Sequence, residues 1–206
     1  MNSLEKKIVL VVGSEEGLGC FLAEQFLKAG AKTIFHYRTK KPKMKSSSVV
    51  FDVRDSKIVQ SEINRVVHDF GGIDILVNCV GPYTPQSIEK ITEEEWRENI
   101  EAILHGSFFL ARAVLPTMRK QKSGKIIFVG DESVGELKTS PIAVPYKIAK
   151  NGLVTLTHAL AETEKQNEIG IHLVSPGFLP NSIVKPPKGE KEMTFKEVWE
   201  KIQNVL

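Results

Sequence analysis

Ile8-Val9-Leu10-Val11-Val12-Gly13-Ser14-Glu15-Glu16-Gly17-Leu18-Gly19 is the stretch whose reading decides the fold. Five apolar residues run without alternation into three glycines within seven residues, and a helical pattern follows over residues 18–29. Gly13 permits a tight turn, Gly17 lets backbone approach a pyrophosphate, and Gly19 lets the helix pack close to the strand, its N-terminus facing the phosphates. A plain strand-to-helix turn rarely needs three glycines in so short a span.

Outward from that turn the alternation continues. Short β-rich runs at residues 8–12, 33–36, 49–51, 73–77, 125–129 and 171–174 are separated by helical patterns at 18–29, 57–70, 93–120 and 146–165, and a short helix at 195–205 closes the sequence. Apolar runs without alternation suit strands covered on both faces. Strands alternating with helices of a dozen residues or more imply βαβ units and right-handed crossovers. The expectation is an α/β, Rossmann-type doubly wound parallel sheet in three layers, with residues 1–206 forming one dinucleotide-binding domain. Residues 39–48, basic and then serine-rich, and residues 176–194, with Pro176, Pro180, Pro186 and Pro187, read as loops. No internal repeat appears beyond the β-α alternation.

Bulk properties narrow the classes. The 206 residues are 41% hydrophobic and 26% charged, as in an ordinary globular protein with a sizeable core. A net charge of +3 lacks the concentrated basic face of a nucleic-acid binder. No apolar run approaches the roughly 18 residues of a membrane span, and the start of the sequence lacks the apolar stretch of a signal peptide. The expected location is therefore cytoplasmic. Cys20 and Cys79 have no metal-ligand spacing and read as reduced thiols, with no metal expected.

Tyr146-Lys147-Ile148-Ala149-Lys150 places a tyrosine and a lysine at i and i+4, on one face of a helix. An ammonium near a phenol favours the phenolate and brings its pKa down from about 10. Such a tyrosine can give or take the proton of a substrate oxygen. A chance Tyr and Lys on a surface helix are common, but this pair follows a glycine turn and a fifth strand at a fitting interval.

Taken in order, these motifs resemble the short-chain dehydrogenase/reductase family over nearly the whole sequence, including members similar to oxoacyl-carrier-protein reductases and pteridine reductases. The glycine spacing Gly13-xxx-Gly17-Leu18-Gly19 is that family's. Asp52-Val53 stands where the family contacts adenine. Asn78-Cys79-Val80-Gly81 stands at its Asn-Asn-Ala-Gly, and Ser175-Pro176-Gly177 matches its Pro-Gly turn beside the nicotinamide. The resemblance implies strand order 3-2-1-4-5-6, hydride transfer between a nicotinamide dinucleotide and a carbonyl or alcohol substrate, and cofactor contacts from Gly13, Gly17, Leu18, Gly19, Asp52, Val53, Asn78, Gly81, Pro176 and Gly177 together with Tyr146 and Lys150. It also implies a homodimer or homotetramer built on the helices at 93–120 and 146–165, where Phe108, Phe109 and Leu110 broaden the apolar face. The family's substrate-orienting serine falls at Ser133 when counted back from Tyr146, or at Asp131 when counted forward from the fifth strand. Ser133 is favoured modestly and Asp131 stays open, while Glu132 points elsewhere by the alternation of extended chain.

Several positions depart from the pattern. Ile103 occupies the place of the family's relay asparagine, and Asn99 lies one turn earlier as a surface or packing residue. Glu15 and Glu16 bring carboxylates to the phosphate turn, where they either repel phosphate or complement the helix dipole. Val12 replaces a common threonine. The family's seventh strand and glycine-rich C-terminus have no counterpart, so residues 178–206 read as a shortened substrate lid, in a sequence either truncated or lacking an oligomer contact. After the second strand, His36-Tyr37-Arg38-Thr39 lacks the acidic residue that holds a ribose 2′-hydroxyl. Arg38, helped by Lys40 or Lys41, can grip a 2′-phosphate, which favours NADP(H) over NAD(H) and leaves NAD(H) open. The alternative to an enzyme is a dinucleotide- or partner-binding protein of the same fold with impaired catalysis, motivated by Ile103, Glu15, Glu16 and the missing strand.

Overall fold

A computed structural model describes residues 4–39, 47–131, 140–186, 188–189 and 191–206. Six strands, β1 (Ile8–Val12), β2 (Lys32–Tyr37), β3 (Ser48–Val50), β4 (Ile75–Asn78), β5 (Gly124–Val129) and β6 (Ile169–Val174), form one parallel sheet in the order β3-β2-β1-β4-β5-β6. The helices are α1 (Gly17–Lys28), α2 (Ser56–Phe70), α3 (Glu93–Asn99), α4 (Gly106–Gln121), α5 (Val144–Glu164) and α6 (Phe195–Gln203). The strand order and the parallel sense are those expected of a doubly wound sheet.

The period of two along each strand divides the core into layers. Leu10, Ile34, Leu76, Ile126 and Phe128 face α2, α4 and α5, packing on Val59, Ile63, Leu110, Val114 and Leu153. Their neighbours Val9, Val11, Phe35, Val77 and Ile127 face α1 and α6, against Leu22, Phe26, Val198 and Ile202. Both faces are dry, which explains why these strands read as unbroken apolar runs. Trp199 of α6 meets Phe26 of α1 edge-on at 4.8 Å between ring centroids. The amphipathic helix α6 therefore closes the second layer over α1.

Helix starts follow their side-chain signals. Asp55 caps α2 by accepting from the amides of Lys57 and Ile58. Thr92 with Glu95, and Thr194 with Glu197, form reciprocal capping boxes at α3 and α6. The helical pattern at 93–120 resolves into α3, a π-helical turn over Ile100–His105, and α4. Across that turn the Gly106 amide reaches back to Glu101 O, one residue beyond the α-helical partner. The Ser107 hydroxyl donates to Ile103 O at 2.5 Å, and a Cβ on Gly106 would lie 2.9 Å from Val53 Cγ2. This close seat against the residue after Asp52 accompanies the local change of pitch. No helix among the described residues is long and apolar enough to cross a membrane.

Candidate active site

The carboxyl ends of the strands open into a cleft of about 460 Å³. Its floor is the glycine turn. Gly13 and Gly17 have φ of +77° and +57°, which L side chains rarely adopt. A Cβ on Gly19 would sit 2.0 Å from Gly13 O, so α1 packs here only with glycine. At the N-cap of α1, Glu16 forms no side-chain cap, leaving the first amides of the helix without a side-chain acceptor. Glu15 and Glu16 are exposed on the cleft rim.

Under the turn lies a buried polar brace. Ser14 is fully buried; its amide and hydroxyl both donate to His36 O, and its hydroxyl accepts from His36 N. The Gly13 amide donates to His36 Nδ1 at 3.1 Å, and His36 Nε2 lies 2.8 Å from Phe51 O. These partners require a neutral ring that carries its proton on Nε2. Burial lowers the His36 pKa to about 4.

One end of the cleft carries the charges that follow β2 and β3. Arg54 grips Asp52 with Nε and Nη2, at 3.0 Å to Oδ1 and 2.7 Å to Oδ2, while its amide donates to Oδ1. Arg38 Nε reaches Asp52 Oδ2 at 3.3 Å, and its Nη1 reaches Glu98 Oε1 at 2.9 Å. Hydrogen bonding from Arg54 holds the Asp52 carboxyl down at about 2. Tyr37, at the position where a ribose-binding carboxylate is missing, is buried. Asp52 thus spends its acceptors on two arginines, which the adenine-contact expectation did not include.

At the other end stand Tyr146 and Lys150, one turn apart on α5. Lys150 is buried; its Nζ donates to Val129 O at 2.6 Å and lies 5.6 Å from the centroid of the Tyr146 ring. Burial lowers its pKa to about 8, opposed by the Asp131 charge. Gly81 leaves room for that ammonium, since a Cβ there would be 3.3 Å from Nζ. Tyr83 meets Tyr146 edge-on at 4.9 Å. A second chamber of about 570 Å³ opens beside Tyr146, between Pro82, Tyr83, Ile142, Phe178 and Ile183. Asp131 and Lys147 line it as an ion pair at 2.6 Å, each close to nine-tenths buried.

The expected residues gather well. Gly13, Gly17, Leu18, Gly19, Arg38, Asp52 and Val53 line the cleft, as do Gly81, Asp131, Tyr146, Lys150, Pro176 and Gly177. Asn78 does not reach the cleft wall. It is buried behind it, donating through Nδ2 to the Ser107 hydroxyl and accepting from Val80 N through Oδ1. Ser133, Glu132, Lys40 and Lys41 lie outside the described residues. Ile103 is fully buried, and Asn99 is a buried packing residue whose Nδ2 donates to Glu95 O. Cys79 is half-buried, with desolvation pushing its thiol up to about 12, and both cysteines are free. Among the described residues no cluster of His, Cys, Asp or Glu is arranged to hold a metal.

Four side chains of the site escaped sequence reasoning: Arg54, Glu98, Lys147 and Asn181. Arg54 and Lys147 are each adjacent or nearly so to a residue already singled out, and that proximity was the available signal. Asn181 lines both chambers, and its Nδ2 would stand 2.7 Å from a Cβ on Gly17. The segment after Gly177 thereby reaches back over the glycine turn.

A parallel doubly wound sheet with a glycine turn at the strand ends and a Tyr-Lys helix beside it defines a nucleotide-binding α/β protein. The pattern of the short chain dehydrogenase family matches residues 7–191. The chain belongs to that family, a family of NAD(P)-dependent oxidoreductases. It is 30% identical over 197 residues to the 3-oxoacyl-[acyl-carrier-protein] reductase of Vibrio cholerae, covering 92% of this chain and 80% of that protein. It is likewise 30% identical over 206 residues to an uncharacterized oxidoreductase of Thermotoga maritima, covering 95% and 80%. In fold it resembles a gluconate 5-dehydrogenase from Burkholderia cenocepacia solved with NADP and tartrate, with a TM-score of 0.87 at 21% identity, covering 98% of this chain and 88% of that one. The ligand-free aldohexose dehydrogenase of Thermoplasma acidophilum gives 0.87 at 20% identity, covering 98% and 87%.

Proposed function

We propose that this protein transfers a hydride between NADP(H) and a carbonyl/alcohol pair, with Tyr146 as the proton donor and acceptor. The observation that carries the reading is the Tyr146–Lys150 pair at the junction of the two chambers, with the lysine ammonium buried 5.6 Å from the phenol ring. The glycine turn fits a pyrophosphate: its backbone is left-handed at Gly13 and Gly17, and the amides that open α1 have no side-chain cap. Gly13, Gly17, Leu18 and Gly19 would hold the phosphates; Arg38, Asp52 and Val53 the adenosine end; Gly81, Pro176 and Gly177 the nicotinamide end. When bound, the nicotinamide supplies or accepts the hydride.

The chain's own part is the proton. Tyr146 passes its phenolic proton to the substrate oxygen during reduction and recovers it during oxidation. Lys150, charged below about pH 8 and enclosed, stabilises the phenolate that remains. Asp131 stands in the substrate chamber as the acceptor of an ion pair with Lys147. Lys147, held on Asp131, supplies ammonium donors to the substrate oxygen in place of a hydroxyl, and Ser133 is the alternative donor. Phe108 and Ile148, half-exposed on the outer faces of α4 and α5, with Arg112 over the Phe108 ring, support a homodimer across those helices.

The test is Tyr146→Phe, assayed with NADPH and a panel of ketones, aldehydes and sugars. The variant is expected to bind dinucleotide as the parent does and to lose turnover by about 10²-fold or more. Unchanged turnover defeats the assignment. A non-catalytic dinucleotide-binding role is favoured by one observation, the apolar, fully buried Ile103, and gains ground if the parent binds NADPH tightly yet turns over nothing in the panel.

A further inference from the structure

The strand-end cluster of Arg38, Asp52, Arg54 and Glu98 carries more than a general preference for one dinucleotide. Both Asp52 oxygens are engaged: Oδ1 accepts from the Arg54 amide and Nε, and Oδ2 from Arg54 Nη2 and Arg38 Nε. A neutral donor entering here would meet a carboxylate already satisfied by two guanidiniums. An anion meets the opposite situation. Arg38 and Arg54 converge on one carboxylate at the cleft wall, and each has a planar fork of five donors. Arg38 directs the rest of its fork at Glu98, a residue of α3 that is 60 positions away in sequence. The Arg38–Glu98 pair is partly exposed, with side chains 48% and 32% accessible. Pairs of this kind are weak and exchangeable.

With Arg38 already read as the partner of a dinucleotide 2′-phosphate, we propose that Arg54 adds a second guanidinium to that anion seat, and that Glu98 is an intramolecular carboxylate occupying the seat on Arg38 until the phosphate displaces it. The inference rests on the reading of this cleft as a dinucleotide site. Arg54 then does two things: it keeps Asp52 occupied, and it lends the phosphate a second guanidinium. Glu15 and Glu101 are the other carboxylates near the cluster, the first on the cleft rim and the second within electrostatic range of Arg54. A dianionic phosphate held by two guanidiniums overcomes this opposition; a hydroxyl gains nothing from them. Glu98 lies one residue before Asn99, which ends α3, so its displacement frees the end of that helix from the adenosine side of the cleft.

Calorimetric titration of the full chain with NADPH and with NADH tests this without any turnover. The parent should bind NADPH more tightly than NADH. Glu98→Gln should tighten NADPH by about two- to five-fold, the range expected for releasing one exposed ion pair, with NADH unchanged and the gain shrinking at high salt. Arg54→Gln should weaken NADPH by about tenfold or more while leaving NADH within about twofold. Adenosine 2′,5′-bisphosphate against adenosine 5′-phosphate should reproduce the same ordering with the nicotinamide removed. Glu98→Gln that leaves NADPH affinity untouched, or that moves NADPH and NADH together, overturns the proposal, as does NADH binding as tightly as NADPH. Binding of neither dinucleotide overturns both this proposal and the dinucleotide reading, whereas dinucleotide binding without sensitivity to Glu98 overturns this proposal alone. Glu98 is partly exposed on α3, so the decisive variant does not threaten folding.

Discussion

Acid should loosen this protein through one histidine, and the structure says by how much. His36 is held neutral at about 4, against 6.5 for the free side chain, because burial penalises the imidazolium and its Nδ1 is committed as an acceptor to the Gly13 amide. A folded-state pKa below the unfolded one means that the unfolded chain takes up a proton the native chain refuses. Stability from this site is fully present above pH 6.5 and is lost as the pH falls toward 4. At about 1.4 kcal/mol per tenfold difference in proton affinity, the whole effect is about 3 kcal/mol, of which about 2 kcal/mol is gone by about pH 5. The assay is urea unfolding of the parent and of His36→Gln at about pH 7.5 and about pH 5. The variant has no imidazole to titrate, so its stability should fall by about 2 kcal/mol less than the parent's over that interval. His172, whose pKa burial also lowers, contributes equally to both proteins and cancels. Equal losses in parent and variant would refute the reasoning, because they would mean that the Gly13–His36 bond does not select the neutral ring.

Three further outcomes follow from the same geometry. Lys150→Met should abolish turnover yet raise stability near neutral pH by up to ~3 kcal/mol, because the buried ammonium titrates at about 8 instead of 10.5; the gap should close as pH rises through that interval, and a destabilised variant contradicts the burial penalty. The same group should put an alkaline limb near pH 8 on kcat/KM of the parent, visible in a pH–rate profile on whichever substrate it reduces. Gly19→Ala forces a methyl against Gly13 O at 2.0 Å and should cost about 1–3 kcal/mol together with most dinucleotide affinity, so normal binding in that variant would show that the turn yields easily.

The sheet was legible because its strands are buried on both faces. Ile8–Val12 and Gly124–Val129 carry no alternation to confuse with an amphipathic element, and Gly13, Gly17 and Gly19 fix where the first strand hands over to its helix. The Tyr146–Lys150 spacing was legible for a local reason too, since both residues sit on one helix. Where legibility stopped, the information was not local. The pitch change at Ile100–His105 goes with the close seat of Gly106 against Val53, about fifty residues earlier, and the helical period of residues 93–120 gives no sign of it. Asn78 matched a motif by position, but whether its amide faces the cleft or Ser107 is decided by the approach of α4. The choice between Ser133 and Asp131 turned on loop length, which periodicity does not measure. The structure brings Asp131 into the second chamber beside Tyr146, and Ser133 falls outside the described residues.

The partners of the cleft cations make a common pattern that no single motif expresses. Arg54 is paired with Asp52, Arg38 with Glu98 and Asp52, and Lys147 with Asp131, so three cations lining the site arrive already matched by carboxylates. Lys150 differs: its hydrogen bond goes to the neutral carbonyl of Val129, and burial lowers its pKa. Matched cations cost little to keep in a partly dry cleft, and a ligand must displace a carboxylate to use them, which converts affinity into selectivity. An ammonium with only a carbonyl to bond is expensive to bury, and that expense is recovered when negative charge develops nearby, on the Tyr146 phenolate. Under the proposed function, the division therefore separates groups that would choose the ligand from the group that would drive the proton. It explains why replacing Glu98 should change how tightly NADPH binds, while replacing Lys150 should change whether anything happens afterward.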